Sequence, residues 1–488
     1  MRRLKILMLA AEAAPLVKVG GLGDVAGALP VALRKLGMDV RVMLPDNGMR
    51  VPLAYKVRRL AGGTLAWGGR AERVTVRAMK LNGGLYYLVG GRPIPHDGKV
   101  YGADMAGDLR KFVFFALAAL RAAERLQFQP DVLHVHDAHP GAALYFLGTA
   151  GRLQRFWKFT AGVLTIHNLA YQFNGAAAAL GAGGLAQCDD TRIPVYARSG
   201  LFALGIAAAD CVNTVSPTYA REIRRKEQGA GLQNLLRARR PEVCGILNGM
   251  DGGVWNPATD PAIAAKFDVR RLARRRVNRD ALRAELRLPA AAGPLFALVA
   301  RLDWQKGLDL VLALAPGLRA LGAQLVVLGS GSAQIAKQLR QLARAHPRSV
   351  AVRVGFDEAL ARRIYAGADV VLVPSRYEPC GLTQLIGMRY GAIPLVRATG
   401  GLADTVVNVA ADPVRGTGFM FTKYSAAALA AAVRRACKYF SAPQAWRALQ
   451  VRAMQADFSW ELPGRAYADL YAQAVRARRT GAAGEDHA

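Results

Sequence analysis

The chain is 488 residues long, 52% hydrophobic, and carries a formal net charge of +31. That length supports two domains and that apolar content two buried cores, which excludes a disordered or fibrous chain. Apolar runs such as 112–120 fall short of the ~20 residues of a membrane span, and five scattered cysteines (188, 211, 244, 380, 437) show neither zinc nor CxxC spacing. Thiols without a framework suit a reducing compartment, so the expected location is the cytoplasm, with no membrane partner.

The opening "MRRLKILMLAAEA" imitates a secretory leader, but its short apolar part runs straight into glycines, so residues 5–10 read as a first buried strand. Residues 25–36 read as a helix closed by Gly37, and "DVRVMLP" as the next strand, which makes one right-handed βαβ unit. Between them lies "KVGGLGDV". A turn needs one glycine; Gly20, Gly21 and Gly23 beside Lys18 and Asp24 point to an anion that comes close to the backbone. The spacing is not GxGxxG, which argues against a dinucleotide-dependent dehydrogenase. "DVLHVHD", "AGVLTIHN" and "ADCVNTVSP" read as further strands ending in polar residues. A second series starts near Gly293 with "PLFALVARLD", "AQLVVLGSG", "ADVVLVPSRYEP" and "AIPLVRATGG". Strands alternating with helices imply parallel sheets covered on both faces, hence two Rossmann-like, doubly wound α/β domains. The expected boundaries are 1–248 and 249–458, joined at the Gly-, Asn- and Pro-rich "LNGMDGGVWNP". A helix at 459–478 returns to the first domain, and 479–488 is expected to be a disordered tail.

Ligands of open α/β sheets bind beyond the carboxyl ends of strands, and polar residues gather there in both halves, which favours a cleft between the domains. In "SRYEPCGLTQL", Pro379 stops a strand, Gly381 lets the backbone bend, and residues 382–390 read as a helix. Its first-turn N–H groups near Gly381 to Thr383 offer an anion site, with Glu378 alongside to accept from sugar hydroxyls. A plain strand-to-helix turn with a capping carboxylate reads equally well. "RLDWQKG" places Arg301 and Lys306 after a strand. Together they can neutralise a leaving diphosphate without a metal, although two surface cations in a very basic chain would be spelled the same way. Four of the seven histidines (134, 136, 139, 167) fall in one region. Only Asp137 stands near as a further ligand, so no metal is expected. His134 suits a core hydrogen bond, and His167, ahead of Asn168 at a strand end, suits substrate contact. The positive charge is spread along the chain. Clusters at 237–240 and 271–276 read as solvated helix faces, and no nucleic-acid partner is expected.

In order, "KVGGLGDV", "HVHDAHPG", "TIHNLAYQ", "VSPTYAREI", "LNGMDGGVWNP", "ARLDWQKGLDL", "VPSRYEPCGLTQL" and "TGGLADTV" resemble the bacterial glycogen synthases and plant starch synthases, from about residue 6 to the "DFSWE" segment. The resemblance implies a GT-B fold, with the sugar nucleotide held mainly by the second domain. It also implies a retaining, cofactor-free transfer of glucose from ADP-glucose to the 4-hydroxyl of an α-1,4-glucan. Lys18, with Gly20, Gly21 and Asp24, would contact the donor from across the cleft. Asp137 and His167 would approach the glucosyl unit, Arg301 and Lys306 would hold the diphosphate, and Glu378 would bind glucose hydroxyls. Cys380, Gly381, Leu382 and Thr383 would line the sugar and phosphate site, Asn248 would be a polar cleft residue, and Phe356 would lie against the base. Ile386 occupies the place where broader retaining GT-B enzymes carry a second glutamate, as the glycogen synthase type does. Departures from the family pattern fall in the first domain: Phe173 replaces a glycine, Ala203 a lysine and Ala138 a tryptophan, and 174–186 matches poorly. They leave open a catalytically weakened glucan- or nucleotide-binding homologue, or a related transferase with another donor or acceptor.

Overall fold

The computed structural model describes residues 3–102 and 104–485, the last five as backbone only. In chain order the strands are β1 Lys5–Leu9, β2 Asp39–Pro45, β3 Arg58–Trp67, β4 Arg70–Leu81, β5 Gly84–Gly90, β6 Val132–His136, β7 Ala161–Ile166, β8 Cys211–Thr214 and β9 Cys244–Gly245. They continue with β10 Leu295–Val299, β11 Gln324–Gly329, β12 Val350–Val354, β13 Val370–Val373, β14 Ile393–Arg397 and β15 Phe419–Phe421. The chain divides into two compact units, Met1–Gly249 with Trp460–Ala488, and Met250–Ser459.

In the first unit the described strands form one sheet in the order β3-β4-β5-β2-β1-β6-β7-β8-β9. From β5 to β9 every pairing is parallel. Alternate residues of β1 enter two different cores. Ile6 and Met8 meet Val25 and Leu29 of the helix Gly21–Lys35, while Leu7 and Leu9 meet Phe112 and Phe115 of the helix Met105–Arg125. A strand buried on both faces has no polar side, which is why "LKILMLA" shows no period of two. Expecting parallel strands throughout missed the antiparallel hairpin of β3 and β4, where Trp67 opposes Arg70 around Gly68 and Gly69. Its signal was a Gly-Gly pair followed by alternating burial at Val74, Val76 and Ala78.

The first helix starts at Gly21, four residues before the expected 25, so Gly21 and Gly23 belong to its first turn and Gly20 is its N-cap. The last helix, Glu461–Glu485, lies in the first unit. Tyr467, Tyr471 and Ala474 join the core of Ile6 and Met8, and buried Arg478 donates to the carbonyls of Thr160 (2.8 Å) and Leu147 (3.2 Å). The tail expected to be disordered from 479 is instead helical to Glu485; residues 486–488 lie outside the described residues.

The second unit is a parallel sheet in the order β12-β11-β10-β13-β14-β15, the doubly wound order of nucleotide-binding folds. Two basic clusters are less solvated than expected. Arg239 and Arg275 are buried and donate to carbonyls at helix C-termini: Arg239 to Ala207 and Ala209, and Arg275 to Tyr365 and Ala368. A guanidinium there satisfies orphan carbonyls and complements the negative end of the helix dipole. Among the described residues no helix is long and apolar enough to cross a membrane.

Candidate active site

A doubly wound sheet leaves a crevice where neighbouring strands connect in opposite directions. That point is β1/β6 in the first unit and β10/β13 in the second. The segments leaving these four strands hold most of the residues singled out above.

In the first unit the organising group is Glu12, which the sequence reading overlooked. It sits in the apolar run just after β1 and is 2% exposed. The backbone N–H of Val19 donates to its carboxylate, and that of Gly20 donates to both oxygens at 3.1 and 3.2 Å. A Cβ on Gly23 would stand 3.0 Å from Glu12 Oε2. Glycines 20 and 23 therefore crowd a carboxylate of the protein itself. A charged residue inside an apolar run was the available signal, since buried charge is the informative exception. Lys18 Nζ lies 2.7 Å from Asp24 Oδ1, both partly exposed.

Burial pushes Glu12 up to about 7 against the pull of its two N–H donors, and Asp24 adds to the rise. Below the ordinary carboxylate value of 4.5 both folded and unfolded chains hold this proton. As pH rises toward about 7 the unfolded chain has lost it and the folded chain has not, so the contribution of Glu12 to stability falls across that window and levels off above it. Four buried, neutral imidazoles act the opposite way over the same window, so the test is a difference between proteins: relative to the parent, Glu12→Gln is expected to gain melting temperature as pH rises from about 5 to about 7. Equal slopes in both proteins would refute the assignment.

Asp137 follows β6 with φ +60 and is buried, a strained backbone that an aspartate tolerates better than most residues. Its Oδ1 accepts from the N–H of His167 (2.6 Å) and of Asn168 (3.1 Å). Burial pushes it up to about 7, with Glu12 contributing. His167 Nε2 lies 2.8 Å from His136 Nδ1. His134 in turn bonds Thr165 Oγ1 at 2.7 Å and Tyr471 OH at 2.8 Å, the core hydrogen bonds expected of it. Burial holds His134, His139 and His167 down at about 3, and His136 well below its ordinary value, so the four imidazoles are neutral. Asn248 is buried with its Oδ1 unpartnered. Among the described residues no group of three His, Cys, Asp or Glu is placed to hold a metal ion.

In the second unit, Lys306 Nζ stands 2.9 and 2.8 Å from the two oxygens of Glu378, and Ser375 Oγ donates to the same carboxylate at 2.7 Å. The spelling "RLDWQKG" now has a local reason. Asp303 caps the short turn Trp304–Lys306. Buried Gln305 donates to the Tyr377 carbonyl at 3.1 Å and receives Arg301 Nη2 at 3.5 Å. The two loops are thus tied together, with Lys306 beside Glu378 and Arg301 linked to them through Gln305. Gly381, at φ +76, makes the bend, and Gln384 donates to the carbonyls of Cys380 (3.1 Å) and Gly381 (2.9 Å). Leu382 caps the helix Thr383–Arg389, and Thr383 Oγ1 donates to the Val299 carbonyl at 3.4 Å. Behind them the Glu378 carbonyl accepts the Gly401 N–H at 3.0 Å. Arg301, Asp303, Trp304 and Ser332 line a pocket of about 350 Å³. Phe356 follows β12 and is 79% exposed, outside this set. Gln305 and Gly400 were missed because each meets a partner distant in sequence, the backbone of Tyr377 and of Glu378, whereas Ser375, only three residues before Glu378, was legible within "SRYEP" and was passed over.

The departures in the first domain are absorbed by its core. Phe173, at the family's glycine position, keeps a left-handed backbone (φ +53) and packs its ring edgewise on His139 and Phe112. Ala138 and Ala203 are buried in the same core.

Residues 5–238 match the starch synthase catalytic domain family, and residues 280–447 the glycosyl transferases group 1 family. The chain is 41% identical to a glycogen synthase of Novosphingobium aromaticivorans over 97% of its own length and 99% of the relative's. It is 39% identical to a glycogen synthase of Geobacillus stearothermophilus over 97% and 98% of the two chains. The solved catalytic domain of starch synthase IV from Arabidopsis thaliana, bound to ADP and acarbose, matches with TM-score 0.91 at 32% identity, covering 97% of this chain and all (100%) of that one. A sucrose-phosphate synthase of Thermosynechococcus elongatus shares the fold at 20% identity and TM-score 0.62, over 97% and 100%.

Proposed function

The chain belongs to the glycogen and starch synthase family of retaining GT-B glycosyltransferases, and on that premise we propose that it transfers glucose from ADP-glucose to the non-reducing-end 4-hydroxyl of an α-1,4-glucan in the cytoplasm. The observation that carries this reading is the Lys306–Glu378 pair at the β10/β13 switch point, with Arg301 linked to it through Gln305.

Lys306 and Arg301 hold the diphosphate and neutralise the charge that grows on it as the bond from C1 to the phosphate oxygen breaks. Glu378 accepts from glucose hydroxyls. Cys380, Gly381, Leu382 and Thr383 line the sugar and phosphate, and Phe356 meets the base. His167 and Asp137 attend the glucosyl unit. A neutral imidazole held at about 3 is not a proton donor at neutral pH, so His167 acts through hydrogen bonding and its dipole. The acceptor O4 attacks C1 on the face the diphosphate leaves, and its proton passes to the departing phosphate oxygen. No pair of opposed carboxylates of the hydrolase kind is needed. Lys18, with Gly20, Gly21 and Asp24, and Asn248 serve the same transfer from the first unit.

Incubation of the purified protein with radiolabelled ADP-glucose and glycogen tests this, with UDP-glucose as the competing donor. Incorporation from ADP-glucose that disappears in Glu378→Ala supports it. Tight glycogen binding with no incorporation from either donor would overturn it. Lys18→Ala should lower kcat about 100-fold while changing the Kd for ADP less than about threefold. An equal loss in both would make Lys18 a nucleotide-binding residue instead.

A further inference from the structure

The basic cluster 271–276 has no part in the transfer reaction. The helix Arg275–Glu285 brings Arg275, Arg276 and Arg279 to the wall of a pocket of about 300 Å³, and the helix Pro443–Gln455 adds Trp446 and Arg447. Four arginines and one carboxylate, Asp369, line the pocket. That carboxylate is already engaged: it accepts the Leu295 N–H at 2.9 Å and lies 3.4 and 3.5 Å from Arg279 Nη1. Arg276 has only a solvent-exposed approach to Asp280 at 3.7 Å.

Arg275 is 6% exposed, and the Nε atoms of both Arg275 and Arg279 are buried without a hydrogen-bond partner. Burial pulls Arg275 down to about 10, Asp369 opposes that, and Arg279 adds to it. Clustered cations with unfilled donors around a concave, partly aromatic wall form a site short of an anion.

We propose that this pocket binds a small phosphate monoester, its phosphate among Arg276, Arg279 and Arg447 and its organic part against Trp446. The charge balance favours a dianion: the lining carries an excess of three positive charges, four arginines against Asp369, and a phosphate monoester supplies about −1.5 to −2 at neutral pH. Asp369 stands just before β13, and Ser375 and Glu378 follow the other end of that strand. The pocket is therefore at the opposite edge of the sheet from the donor residues, and a ligand there does not compete with the nucleotide.

Calorimetric titration of the full chain with inorganic phosphate, a hexose phosphate and AMP, each with ADP saturating, tests the site and separates the sugar and nucleoside sources. One-site binding of at least one ester is expected, weakened about tenfold or more in Arg276→Gln/Arg447→Gln. Both positions are exposed, so this variant should fold normally. Arg237→Gln/Arg240→Gln removes the same charge from exposed positions of the first unit and should bind as the parent does. Absence of binding by all three compounds, unchanged affinity in Arg276→Gln/Arg447→Gln, or an equal loss in the control pair would overturn the proposal.

Discussion

Lys306→Ala is expected to lower glucose incorporation about a thousandfold and to lower the melting temperature at the same time. Glu378 is 6% exposed and has two polar side-chain partners, Lys306 and Ser375. Removing the cation leaves a buried carboxylate with one hydroxyl donor. Breaking a buried pair from one side costs about 3–5 kcal/mol, and the partial exposure of the lysine places this case at the lower end. The double variant Lys306→Ala/Glu378→Ala separates the two effects, because it no longer strands a charge. It should melt closer to the parent than Lys306→Ala does while remaining inactive. A single variant that melts like the parent would mean that the pair does not compensate a buried charge. Retained incorporation in Lys306→Ala would remove the lysine from the diphosphate site.

Gly400→Ala should be the most damaging one-carbon change in the second unit. Gly400 has φ +45, and a Cβ there would lie 1.9 Å from the Glu378 carbonyl oxygen. The left-handed backbone alone costs an alanine about 1–2 kcal/mol. The clash is with main chain, so relief requires moving the residue whose side chain is the proposed sugar ligand. We expect a loss above about 2 kcal/mol in urea unfolding and about 100-fold in activity. Gly252→Ala, where the added carbon meets nothing within 4 Å, should stay near the parent in both. Parent-like behaviour of Gly400→Ala would show that the loop can yield without disturbing Glu378.

Local sequence carried most of the buried parallel strands in their succession along the chain, the polar residues at strand ends, and the motifs of the family. Each of these rests on interactions between near neighbours: apolar runs long enough for a buried strand, or Asp303 capping the turn of "RLDWQKG". The hairpin of β3 and β4 was legible in its Gly-Gly turn but was masked by the expectation of parallel strands. Local sequence did not reveal which groups meet. Lys306 and Glu378 are 72 residues apart, and Tyr471 reaches His134 across 337. Only the order of strands in the sheet, with β10 beside β13 and β1 beside β6, brings such loops together.

"KVGGLGDV" shows the division clearly. Its composition alone marked it as a site where the backbone is approached closely. The fold decided that the approaching carboxylate is Glu12 and that Gly21 and Gly23 begin a helix. Arg275 likewise reads as one more surface cation until the carbonyl of Ala368, 93 residues on, buries it. Spacing along a chain records what one segment can do by itself. Burial, pairing and the charge of a site depend on segments that only folding makes neighbours.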